Sequence, residues 1–224
     1  MKQVFDNISH EMSTLTTKRY STSFSLGIKM LHAEIQQPIY SVYGFVRFAD
    51  EIVDSFHGFD KEWLLEDFRK QTYQSITDGI SLNPILNSFQ WVVNKYNIPL
   101  ELIETFLESM KMDLNKQAYD EEQYKKYILG SAEVVGLMCL KIFVDGDEAE
   151  YLRLKPAAMK LGSAFQKINF LRDLNADYKH LGRVYFPGID MNEFNATVKH
   201  DIERDIEADF HAGYLGILEL PKKA

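Results

Sequence analysis

Cysteine is almost missing from this 224-residue chain, and Cys139, the single one, has no partner for an intramolecular disulfide. Its place in the apolar run VVGLMCLKIFV predicts a buried core thiol, and such sparing use fits a reducing compartment. Positive charge is in deficit: the net charge of -8 argues against non-specific nucleic-acid binding. No basic stripe, RNA-binding signature or zinc-ligand cluster stands against that reading. An acidic protein can still hold phosphates where metal ions intervene. The N-terminus MKQVFDNISHEM lacks a signal-peptide core, and no apolar run approaches the ~20 residues that span a bilayer. The expected location is the cytoplasm, with peripheral membrane contact left open.

Glycine (12) and proline (6) are scarce as well. Where they occur they punctuate long segments of 3.6-residue periodicity, so the chain reads as nearly all helix in one domain, without linker or fixed-period repeat. A first helix is expected from about Ser9 to Leu31, with Ser21, Phe24 and Ile28 close to one face. A second is bounded by Pro38 and Gly58, residues suited to a first turn and to a C-terminal cap. Further helices follow over about Lys61 to Ile76, Asn83-Pro84 to Asn97, Pro99 to Lys116, Glu121 to Phe143, Pro156 to Tyr178 and Lys199 to Leu220.

Two of these segments carry polar ladders. In QKINFLRDLNADY, Gln166, Asn169, Asp173 and Asp177 fall at 0, +3, +7 and +11, which at about 100° per residue is one helical stripe. The other positions, among them Phe165, Ile168, Phe170, Leu171 and Leu174, are apolar over most of the circumference, which predicts a buried helix whose polar stripe needs a reason. In the second segment, Tyr43, Arg47, Asp50 and Asp54 fall at 0, +4, +7 and +11. Each stripe ends in Asp-x-x-x-Asp, a spacing that holds two carboxylates about 5–6 Å apart at Cβ. Like charges that close call for a cation. Oxygen ligands from one or two carboxylates, with positions left for water and phosphate, suit magnesium, whereas zinc would call for His and Cys. A third series, Asp201, Asp205 and Asp209, has the same spacing beside Ile202, Ile206 and Phe210. That pattern is plainly amphipathic and predicts a solvated acidic face.

The segments YSTSFSLG, YGFVRFADEIVDSF, YILGSAEVVGLM and QKINFLRDLNADYKHLGRVYFP resemble, in order and spacing, the landmark segments of the squalene/phytoene synthase family of head-to-head prenyl transferases. The resemblance implies a single all-α isoprenoid-synthase bundle over residues 1-224 with a central cavity for two allylic diphosphates and magnesium or manganese. It implies that Asp50, Asp54, Asn169, Asp173 and Asp177 are metal ligands or their immediate partners. Arg47, Arg172 and Arg183 would grip diphosphate oxygens, to which the guanidinium fork is suited. Ser21, Phe24, Tyr43 and Gln166 match positions near substrate, and Tyr127 a catalytic position. For Phe24 and Tyr127 the competing reading is core packing, and for Arg183 a loop anchor. Gly130 and Gly136 fit a bend or close helix packing.

The implied reaction joins two geranylgeranyl diphosphates into phytoene through a cyclopropylcarbinyl diphosphate, with no need of NADPH; peripheral membrane contact for product release stays open. The rival within the family is a squalene or dehydrosqualene synthase using farnesyl diphosphate. A terpene cyclase or head-to-tail transferase would pair Asp-Asp-x-x-Asp with a different second motif. A catalytically impaired relative acting in binding or assembly would tend to have lost the aspartates, which are all present. Family members typically continue into C-terminal helices that close the bundle, whereas this chain ends at LELPKKA. The corresponding expectation is weak diphosphate binding or slow turnover by the 224-residue form.

Overall fold

The computed structural model describes all residues except 116–118, 182–184, 192 and 223, and within its helices says nothing of the side chains at 115, 176, 177 and 179–181. Every regular element among the described residues is helical: α1 Lys2–Tyr20, α2 Thr22–Met30, α3 Ala33–Asp54, α4 Lys61–Asp78, α5 Pro84–Tyr96, α6 Leu100–Asn115, α7 Glu121–Ile128, a π-helical turn Leu129–Glu133, α8 Val134–Phe143, α9 Glu148–Leu181 and α10 Ala196–Leu218. None of the helices, as far as described, is long and apolar enough to cross a membrane.

Local chemistry accounts for several boundaries that periodicity alone misplaces. The expected Ser9–Leu31 helix is broken at Ser21, whose extended backbone ends α1 while its hydroxyl accepts the Phe24 N–H at 3.2 Å and caps α2. The second helix begins at Ala33, not Pro38. Proline's missing bond falls on the Glu34 carbonyl, in an exposed first turn where solvent can reach it. It ends at Asp54, ahead of Gly58, whose φ of +88° belongs to the following turn. Asn83 caps α5 ahead of Pro84, and Asn97 closes it in the left-handed conformation, as the sequence predicts. The helix expected over Glu121–Phe143 is divided by the π-turn, and α9 starts at Glu148 with Pro156 inside it.

The chain forms two compact units. The first comprises residues 1–101, 138–151 and 220–224. Its core stacks Phe45 of α3 on Phe89 of α5, with ring centroids 3.9 Å apart, and on Phe68 of α4 at 5.6 Å. By contrast, α1 buries hydroxyls: Ser9, Ser13, Thr16 and Thr17 are its buried residues. Small side chains let helices approach, and a Cβ at Gly44 of α3 would lie 3.0 Å from Ser13 Oγ. Cys139 is only half-buried, a correction to the sealed core thiol; desolvation still pushes its thiol up to about 12, so it is inert as a nucleophile.

The second unit comprises residues 102–137 and 152–219. Its core gathers Tyr119, Tyr127, Ile128, Phe170, Leu174, Tyr185 and Phe186. Helices α9 and α10 touch through glycine: a Cβ at Gly213 would lie 2.8 Å from the Leu161 backbone. Gly213→Ala therefore forces the two helices apart and is expected to cost about 1–3 kcal/mol. Denaturant unfolding of the variant measures this, and a midpoint equal to wild type would refute the close contact.

Candidate active site

Four polar side chains of α3 leave the first unit's core on one stripe. Tyr43, half-buried, shares a hydrogen bond with Ser21, and its ring stacks on Phe24 with centroids 4.7 Å apart. Phe24 remains 44% exposed. The break between α1 and α2 thus places the Ser21 hydroxyl and the Phe24 ring beside α3. One turn on, the Arg47 guanidinium lies over the Tyr20 ring, 4.3 Å from its centroid. It forks between Asp50 and Glu51, donating to Glu51 Oε2 at 2.6 Å. Its Nε is buried without a hydrogen-bond partner.

Asp50 is the most perturbed carboxylate of this set. Burial first, and then the charge of Asp54, push it up to about 6 against the pull of Arg47. Asp54, one turn further, is exposed. Glu51 was not singled out by the sequence, although its i+4 spacing from Arg47 was there to be read.

In the second unit the ladder lies on α9. Gln166 is half-buried and Asn169 exposed. Arg172 reaches its neighbour, donating from Nε to Asp173 Oδ1 at 2.8 Å and from Nη2 to Oδ2 at 2.5 Å. The Arg172 guanidinium beside it holds the Asp173 carboxyl below its usual range. The backbone of Asp177 continues α9, but its side chain and all of Arg183 lie outside the described residues. The expectation of a buried helix is corrected here: Phe165 is 53% exposed and Ile168 and Tyr178 are exposed as well. Tyr127 sits in the aromatic core at 5% exposure, its hydroxyl donating to Asp113 Oδ2 at 2.7 Å.

The third aspartate series is also corrected. Asp209 is not solvated: its side chain is 7% exposed and accepts Lys160 Nζ at 2.6 Å, Ser163 Oγ at 2.9 Å and Lys167 Nζ at 2.8 Å. Asp205, which also accepts Lys167, and Asp201, paired with Arg204, do lie on the exposed side. Burial therefore does not separate the three series, because Asp209 is more buried than Asp50, Asp54 or Asp173. Their partners separate them. Asp209 has two lysines and a hydroxyl, while Asp50 faces another carboxylate and an arginine shared with Glu51.

Among the described residues no three Asp, Glu, His or Cys side chains gather into a metal cage. Magnesium or manganese takes one or two carboxylates and completes its shell with water and substrate phosphate, whereas zinc calls for His and Cys. The like-charge strain on Asp50 is what a divalent cation beside Asp50 and Asp54 would relieve. In the second unit, α9 carries an amide oxygen at Asn169 and a carboxylate at Asp173 on its own stripe.

The chain is 29% identical over 199 residues to a 4,4'-diapophytoene synthase of Staphylococcus haemolyticus, covering 86% of this chain and 67% of that protein. It is 26% identical over 200 residues to a phytoene synthase of Arthrospira platensis, covering 84% and 64%. It thus spans about two thirds of the length of these relatives. Among solved structures, a squalene synthase from Alicyclobacillus acidocaldarius superposes with a TM-score of 0.80 at 25% identity, covering 98% of this chain and 87% of that one. A dehydrosqualene synthase gives 0.85 at 20% identity over 97% and 80%, a likeness of fold. The squalene/phytoene synthase family model matches residues 17–218, and the chain belongs to that family of prenyl transferases.

Proposed function

We propose that this protein condenses two prenyl diphosphates head to head, with geranylgeranyl diphosphate giving phytoene as the first reading. The observation that carries it is the α3 stripe: the Asp50 carboxylate strained by burial and by Asp54, beside an Arg47 whose buried Nε has no partner. Farnesyl diphosphate is the second reading, favoured by the likeness to a diapophytoene synthase. In either case Asp50 and Asp54 on α3 would hold magnesium, and so would Asn169 and Asp173 on α9, with Asp177 continuing the α9 ladder. The metal would neutralise the leaving diphosphate as its C–O bond breaks. Arg47 and Arg172 would grip phosphate oxygens, and Gln166 and Ser21 would orient the substrate. Aromatic faces such as Phe24 and Tyr43 would stabilise an allylic cation without forming a covalent adduct. Arg183 keeps its proposed role as a further phosphate contact.

The test is incubation with magnesium and either farnesyl or geranylgeranyl diphosphate, with and without NADPH, followed by mass spectrometry of the extracted hydrocarbon. The expected product is phytoene, formed without NADPH. A thirty-carbon hydrocarbon would select the second reading, and no hydrocarbon from either substrate would reject both.

A further inference from the structure

The proposed mechanism makes no use of Asp113, a carboxylate 6% exposed in the second unit, and no sequence motif drew attention to it. Two phenols converge on it: Tyr127 donates to Oδ2 at 2.7 Å and Tyr119 to Oδ1 at 3.4 Å. Their rings are 5.1 Å apart, and Tyr185 packs against both, at 5.4 Å from Tyr119 and 5.7 Å from Tyr127. Tyr185 in turn stacks on Phe170 at 4.2 Å with an interplanar angle of 8°. Phe170 lies between Asn169 and Asp173 in sequence, on the buried side of α9. A continuous aromatic layer therefore runs from the Asp113 carboxylate to the helix that bears the polar ladder.

The local backbone is shaped to allow this. Ser109 and Asp113 lie one turn apart on α6, and Tyr127 and Gly130 one turn apart at the start of the π-turn. Gly130 leaves no room for a side chain: a Cβ there would fall 2.5 Å from Ser109 Cβ and 2.7 Å from the Thr105 carbonyl oxygen. That close approach brings Asp113 within reach of the Tyr127 hydroxyl. The π-turn begins two residues after Tyr127, and Ser131 Oγ donates to the Tyr127 carbonyl at 2.7 Å. Such turns alter helical register, commonly at functional positions.

We propose that Asp113 is a positioning residue. Its carboxylate pins the Tyr127 and Tyr119 hydroxyls and so fixes both Tyr127 and the aromatic layer that sets how α9 presents Asn169 and Asp173. Charge is needed because a buried carboxylate demands donors and bonds them more strongly than a neutral acceptor would. The proposal rests on the functional reading above for its effect on turnover, but not for the pinning itself.

The experiment compares Asp113→Asn, Tyr127→Phe, their double variant and Gly130→Ala in the whole chain, by steady-state kinetics with magnesium and prenyl diphosphate and by denaturant unfolding. For Asp113→Asn, kcat is expected to fall roughly tenfold or more while KM for the diphosphate shifts less than about threefold, the pattern of a group that acts on the transition state. Gly130→Ala, which pushes α6 from the π-turn, is expected to show the same split. In the unfolding cycle the two hydroxyl-acceptor variants should be non-additive by about fivefold or more in the unfolding constant. Unchanged kcat in Asp113→Asn, or a loss carried by KM alone, would overturn the positioning role. Additive unfolding effects would overturn the pinning, and Tyr127→Phe with Tyr119→Phe decides that point if Asp113→Asn fails to fold. A wild-type chain that makes no hydrocarbon rejects the functional reading, and the unfolding cycle still decides whether Asp113 holds Tyr127.

Discussion

Replacing Asp209 by alanine is expected to destabilise the protein by about 3 kcal/mol, the low end of what breaking a buried ion pair costs. Its side chain and that of Lys167 are 7% and 11% exposed, so removal leaves an ammonium with much of its solvation gone. The low end applies because Lys167 keeps Asp205 as a second acceptor, and Lys160 reaches solvent. Thermal unfolding followed by circular dichroism should show the midpoint fall by roughly 6–12 °C. Asp205→Ala, at a 64% exposed carboxylate, should cost less than about 1 kcal/mol. Equal losses from the two variants would sink this account. A pH signature accompanies it. Burial works against the Asp209 charge, but hydrogen bonds from Lys160, Lys167 and Ser163 prevail and hold the carboxyl below its ordinary 3.8. Its contribution is therefore present above pH 3.8 and lost as pH falls through the lower folded-state value. The difference between wild type and Asp209→Asn should shrink only in that acid range.

Asp50→Asn should have opposite effects on activity and stability. Hydrocarbon formation should drop on the order of 10³-fold, since a carboxylate that would hold magnesium against the leaving diphosphate is gone. Asp173→Asn should lose product comparably, while Asp205→Asn should not. In the metal-free protein, however, Asp50→Asn should raise the unfolding midpoint at neutral pH. Burial and Asp54 lift the Asp50 carboxyl to about 6, so the folded state binds this proton more tightly than the unfolded chain does. The cost of its ionisation is fully present above about 6 and absent below its ordinary 3.8, so the gain in the variant should vanish in acid. Stability set aside for function in this way is common at active sites. A midpoint that falls at neutral pH would mean that the Arg47 pair outweighs the repulsion.

The Asp-x-x-x-Asp stripes were legible because helical periodicity is a property of neighbours along the chain. For the same reason Asn83 and Asn97 marked helix ends correctly: each acts on backbone within a turn of itself. The break at Ser21 was also written in local chemistry, a capping hydroxyl inside a pattern that periodicity alone reads as continuous. What misled was the use of amphipathicity to judge exposure. The pattern around Asp209 is that of a surface helix, yet the residue is buried because Lys160, Ser163 and Lys167 of another helix turn toward it. The pattern around Asp173 is that of a buried helix, yet Phe165 and Ile168 beside it reach solvent.

By itself, then, the sequence determined an all-helical chain, its family and the residue types of two metal-suited stripes, because each of these is encoded in spacing over a few helical turns. Which charges are strained and which are satisfied depends on packing in three dimensions. Asp113 and Asp209 are satisfied by donors that other helices bring within about 3 Å, whereas Asp50 has only neighbours of its own helix and is strained by burial, which local propensity does not specify.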